Sequence, residues 1–129
     1  MQLSFGTVQR SLQWDHFLIL FSSLNRPGWQ FPEFFLNREG DTLCGRSDPV
    51  TGITPDIDLT PLDPQRSTSR RHAKLYQMSD TYYVMEEIGV MNGTYVNGNR
   101  LTTGVPIAVQ NGDVLKFGLV SMTFHAPES

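Results

Sequence analysis

Asn-Gly pairs punctuate the second half of this chain and constrain its fold more than any other feature. A type I′ turn needs positive φ at two successive residues, which makes Asn-Gly the strongest short signal for a β-hairpin. Asn92-Gly93 and Asn97-Gly98 carry that signal, and Ser79-Asp80, Asn111-Gly112 and Gly118 supply further turns. Between these turns lie short runs that read as strands: His72–Met78, Tyr82–Glu86, Val105–Val109, Val114–Phe117 and Leu119–His125. Period two dominates, and helical periodicity is hard to find. Many short strands at this spacing predict a β-sandwich or barrel. The fold class is all-β.

The first half is less regular. Trp14 to Phe21 reads as a strand, too uniformly apolar to alternate, and Asn25 to Pro32 as a connection that holds a short edge strand. Asp41 to Arg46 is a short strand. Residues 47–68 form a long connection with four prolines, broken only by Ile57-Asp58-Leu59. A connection of that length inside one domain is usually a binding loop. At 129 residues the chain has the length of one domain. We expect a flexible segment over residues 1–12 and a single domain over 13–126.

Several function classes drop out on composition. The single cysteine, Cys44, excludes an intramolecular disulfide framework and a multi-cysteine zinc site, and reads as a small core residue. His16, His72 and His125 lie far apart and form no metal-ligand spacing. The apolar run Phe17–Phe21 is five residues long, against roughly 20 needed to span a bilayer. No signal-peptide pattern surrounds it. These readings point to a soluble, cytoplasmic chain without membrane insertion, metal or cofactor.

The net charge of −3 is unevenly spread. Residues 1–65 hold four basic and eight acidic side chains, and residues 75–129 hold two and five. Between them, Arg66, Arg70, Arg71 and Lys74 stand without an acid. A basic island in an acidic chain argues against a nucleic-acid binder and for a local anion site, with a solvated charged loop as the plain alternative.

Catalysis finds little support. No nucleophile elbow, P-loop or dinucleotide fingerprint is present. Ser69 and His72, three apart on a strand, would face opposite sides and need a turn to meet. Asp48, Asp56, Asp58 and Asp63 lack the ligand rhythm of a calcium loop, so turn and capping roles are expected of them.

What remains is an ordered set of polar loop residues: Gly45-Arg46, Ser69-Arg70-Arg71-His72, Asn92-Gly93-Thr94 with Asn97-Gly98, and Asn111-Gly112-Asp113 through Gly118. In this order the chain resembles a forkhead-associated (FHA) domain over about residues 40–124. The resemblance implies a β-sandwich of two antiparallel sheets, with about 11 short strands and binding loops at one end. It implies a monomeric, non-catalytic module that binds a threonine-phosphorylated protein. By the match Arg46 and Ser69 hold the phosphate, and Asn92 bonds the peptide backbone. Arg70 adds positive charge beside Ser69. Gly45, His72, Gly93 and Thr94 support the loops.

A phosphothreonine brings about −1.5 to −2 charges and three acceptor oxygens, which suits the planar donor fork of an arginine and a serine hydroxyl. The sequence departs from the family at Val90 and Met91, where serine or threonine is common. Neither side chain donates a hydrogen bond, and Met91 is assigned instead to packing beside the threonine methyl. That departure motivates the alternative: a phosphate-independent interaction module on the same fold.

Overall fold

The structure, a computed structural model, describes residues 19–22, 33–37 and 39–126. Eleven strands lie among them: β1 (Ile19–Ser22), β2 (Glu33–Phe35), β3 (Thr42–Gly45), β4 (Ile57–Asp58), β5 (Ala73–Met78), β6 (Thr81–Glu86), β7 (Thr94–Val96), β8 (Asn99–Arg100), β9 (Ile107–Val109), β10 (Val114–Phe117) and β11 (Val120–His125). A six-stranded sheet runs β2-β1-β11-β10-β7-β8, and a five-stranded sheet runs β4-β3-β5-β6-β9. The expected strand Trp14–Phe21 is described only from Ile19, and the expected segments 1–12 and Asn25–Pro32 lie outside the described residues.

Burial follows the pleat. Along β11, Val120, Met122 and Phe124 are buried and the residues between them are half-exposed. They meet Leu75 and Val84 of the opposite sheet in one core, together with Leu115 and Phe117 of β10 and Ile57 and Leu59 from the long connection. Cys44 is fully buried in this core, and burial pushes its thiol pKa up, far from any nucleophilic state.

The turns sort by their φ angles. Asn97 and Gly98 both have positive φ, at 50° and 85°, and close the β7–β8 hairpin between Val96 and Asn99. Gly118, with φ of 60°, opens the two-residue turn between Phe117 and Val120. The Asn92-Gly93 pair is a correction to the hairpin reading. It lies in the 87–93 connection, which crosses from β6 in one sheet to β7 in the other, and of the two residues only Gly93 has positive φ. The sheets are antiparallel except at one place. β4 runs parallel to β3, pairing Ile57 with Cys44, because the loop after β3 carries the chain back before β4 begins.

Candidate functional site

Four chain connections meet at one end of the sandwich: the loop after β3, the 59–72 segment before β5, the 87–93 segment before β7 and the β10–β11 turn. Gly45 ends β3 with no room for a side chain. A Cβ there would lie 2.0 Å from the Arg70 carbonyl oxygen and 2.9 Å from that of Ser69. This close approach lets the Arg46 N–H donate to the Ser69 carbonyl (3.1 Å) while the Arg46 Nε–H donates to the Thr68 carbonyl (3.0 Å). The arginine is thus fixed by its backbone and its Nε. Its two Nη groups have no protein partner among the described residues.

The loop that receives Arg46 is shaped by Asp63, which is buried. Its Oδ1 accepts from the Ser67 N–H and hydroxyl, and its Oδ2 from the Thr68 N–H and hydroxyl, at 2.5–2.9 Å. Burial raises the pKa of this carboxyl, yet the four bonds outweigh it and hold the group below the usual range. Ser67 Oγ in turn accepts from the Leu119 N–H (2.9 Å), tying the loop to the β10–β11 turn. The sequence reading gave Asp63 only a generic turn or capping role. Its hold on Ser67 and Thr68 depends on a fold of the loop that local patterns do not show.

His72 is fully buried and lies edge-on to Phe117, with ring centroids 5.8 Å apart. Its Nδ1 accepts the Ser69 backbone N–H (3.0 Å), so the proton sits on Nε2, which donates to the Gly93 carbonyl (2.9 Å). The imidazole therefore spans two loops in its neutral form. Burial lowers its pKa, partly offset by the Gly93 bond and the charges of Glu86 and Asp63. Because Nδ1 is occupied by a backbone N–H, it does not activate the Ser69 hydroxyl. The Gly93 carbonyl also accepts from the Gly118 N–H (3.0 Å). Thr94 is buried and donates to Glu86 Oε1 (2.8 Å), whose Oε2 accepts from Thr103 (2.6 Å).

The five residues expected to touch a ligand all line one groove of about 620 Å³. Arg46, Ser69 and Arg70 stand on two of the loops, and Met91 and Asn92 on a third. The Ser69 hydroxyl has no protein partner among the described residues. Asn92 Nδ2 donates to the Ser67 carbonyl (2.9 Å), which bridges the two sides of the groove. Met91 is 82% exposed and stands on the rim rather than in a closed pocket.

Arg70 is not a free charge. Its Nη1 donates to Asp48 Oδ2 (2.8 Å), and the bonds from Arg70 and Thr51 lower the Asp48 pKa to about 2. Asp58 and Asp56 of the long connection are likewise bonded within the domain. Asp58 accepts from Ser47 and Thr60, and Asp56 from the Leu43 N–H. The local bonds of Asp48 to Val50 and Thr51 and of Asp58 to Thr60 are the expected turn roles, whereas the bonds of Asp56 to Leu43 and of Asp58 to Ser47 join distant segments. No cluster of three or more His, Cys, Asp or Glu among the described residues is placed to hold a metal.

A sequence profile of the FHA domain family matches residues 42–118, more than half of the chain. The chain belongs to the FHA domain family. It is 35% identical over 77 residues to the protein FraH of Nostoc, covering 54% of this chain and 26% of that protein. It is 34% identical over 82 residues to the oxoglutarate dehydrogenase inhibitor of Corynebacterium jeikeium, covering 64% and 53%. Across its curated relatives the chain spans from 12% to 53% of their length. In structure it is similar to the N-terminal FHA domain of Rad53p from Saccharomyces cerevisiae in complex with a phosphothreonine peptide. That match has a TM-score of 0.67 at 15% identity and covers 86% of this chain and 94% of the other. The shared fold is an FHA β-sandwich, and the chain is an interaction module by family. No helix among the described residues is long and apolar enough to cross a membrane.

Proposed function

We propose that this FHA domain binds threonine-phosphorylated peptides in the groove between its loops and performs no reaction on them. The observation that carries the reading is the convergence of Arg46 and Ser69. One presents two Nη groups and the other a hydroxyl, each without a protein partner among the described residues, into the same groove. A phosphate dianion supplies the acceptors for both. Asn92 borders the same groove and is assigned to the peptide backbone, with Met91 beside the threonine methyl. Gly45, His72, Gly93 and Thr94 hold the loops in register beneath the ligand. Charge-assisted bonds contribute about 1.5–3 kcal/mol each, so two or three give micromolar, reversible binding suited to signalling.

The cytoplasm, where threonine kinases and their products meet, is the expected compartment, and a monomer suffices for the groove. The second reading, interaction without phosphate, is favoured by Val90 and Met91, which bring no donor to the loop before Asn92. Calorimetric titration of one threonine peptide, with and without its phosphate, separates the two. Micromolar binding of the phosphorylated form alone supports the proposal, and equal affinities overturn it.

A further inference from the structure

The groove holds more than a phosphate site. Four guanidinium groups line it, but two are already claimed by carboxylates: Arg70 by Asp48 at 2.8 Å and Arg71 by Glu87 at 3.3 Å. Arg46 and Arg66 remain without a carboxylate partner among the described residues. Two cations balance one phosphate dianion, which leaves no unpaired guanidinium in this groove for a further acid. Beside Ser67, Thr68, Ser69 and Asn92, the lining carries three large apolar side chains. Ile88 is 90% exposed and Met91 82% exposed, and Ile53 is half-buried. Large aliphatic side chains this bare, gathered at the rim of one groove, mark a surface that a partner covers.

We propose that the peptide partner carries a bulky aliphatic residue close to its phosphothreonine, seated on Ile88, Met91 and Ile53. This inference rests on the phosphothreonine reading and names the chemistry that the same groove selects. Charge balance disfavours an acidic neighbour, and the groove that Ile53, Ile88 and Met91 share with Arg46 and Ser69 places the aliphatic residue near the phosphate. Ile88 is so exposed that its replacement by a polar residue leaves the fold and the phosphate contacts alone. Its contribution belongs to the ligand.

The test is a set of phosphothreonine peptides with alanine, leucine or aspartate at each position within two residues of the phosphothreonine, titrated by calorimetry. Leucine at one of these positions should tighten binding about tenfold over alanine, the order expected when one apolar side chain leaves water. Ile88→Ser should remove most of that gain and leave the alanine peptide's affinity within about twofold of the unaltered domain's. If alanine and leucine peptides bind equally, or aspartate binds best, while Arg46→Ala still abolishes binding, this inference falls and the phosphothreonine reading stands. If Arg46→Ala changes nothing, both fall.

Discussion

At the scale of single residues, Gly45 and Arg46 divide the work of one motif. Gly45 lacks a side chain so that β3 can lie against the Ser69–Arg70 backbone, and Arg46 then reaches the groove from that contact. Arg46→Ala should weaken phosphopeptide binding by about 3 kcal/mol or more, over a hundredfold, with only a small drop in melting temperature, because the fold loses a single side-chain bond to the Thr68 carbonyl. Calorimetry with a melting curve on the same sample checks both halves. Ser69→Ala should weaken binding by about 1–3 kcal/mol, the cost of one unpaired charged acceptor. Gly45→Ala should behave differently. A Cβ 2.0 Å from the Arg70 carbonyl oxygen forces the loop away, costing about 1–3 kcal/mol in urea unfolding and lowering affinity as well. A Gly45→Ala domain with full stability and full affinity would contradict this packing.

The element that decides the site is the 59–72 segment, a loop with a single turn of 3-10 helix at Thr60–Leu62. Its shape comes from Asp63, whose two oxygens collect four donors from Ser67 and Thr68. The Thr68 carbonyl then receives Arg46, so the buried carboxylate positions the arginine through one intervening residue. Asp63→Ala leaves those donors unpaired in a buried place. We expect a stability loss of about 3 kcal/mol or more by urea unfolding. Affinity for a phosphothreonine peptide should fall as well, although Asp63 touches no ligand. Wild-type affinity in a destabilised Asp63→Ala domain would separate loop shape from binding and refute the positioning role. The hairpins show the opposite case. Asn97-Gly98 forms the turn that its local chemistry favours, with Asn97 also bonded to Asp113 and Val114, while the similar Asn92-Gly93 does not, because His72 and Gly118 both bond the Gly93 carbonyl and hold that stretch as a crossing between sheets.

For the whole molecule, pH acts through the groups that join the loops. Burial holds the His72 pKa below its ordinary value, so the folded state binds fewer protons than the unfolded chain once pH falls below about 6.5. The contribution of His72 is therefore complete above that value and is lost as pH falls towards the folded pKa. Asp48 and Asp63 have lowered pKa values, and their contributions are present above about 3.9 and lost at more acid pH. Melting temperatures of the free domain should be flat from pH 8 to 7 and decline from about 6.5 downward, with a second decline below about 4. His72→Ala should melt lower than wild type at pH 7.5 and show a smaller decline between pH 6.5 and 5, the remainder coming from His125, whose pKa burial also lowers. A wild-type domain whose melting temperature stays constant from pH 7 to 5 would show that the ring is not held neutral.

The fold class and most of the strands of the second half are legible in the local signals of the sequence. Alternation and Asn-Gly, Ser-Asp and Gly turns are local signals, and β5, β6, β10 and β11 fall within one or two residues of where those signals place them. The order of its polar motifs also pointed to the FHA family. What it could not reach were facts that depend on distant segments meeting. Arg70 reads as a free cation until the loop after β3 folds back and sets Asp48 2.8 Å away, 22 residues distant in the chain. Asp63 reads as a turn residue until Ser67 and Thr68 close on it. Gly45 reads only as a support of the loops until the Ser69–Arg70 backbone lies where its Cβ would be. Local patterns encode φ, ψ and face, but which charge is neutralised and which arginine stays open is set by loop packing across the end of the sandwich. Tertiary structure decided the groove.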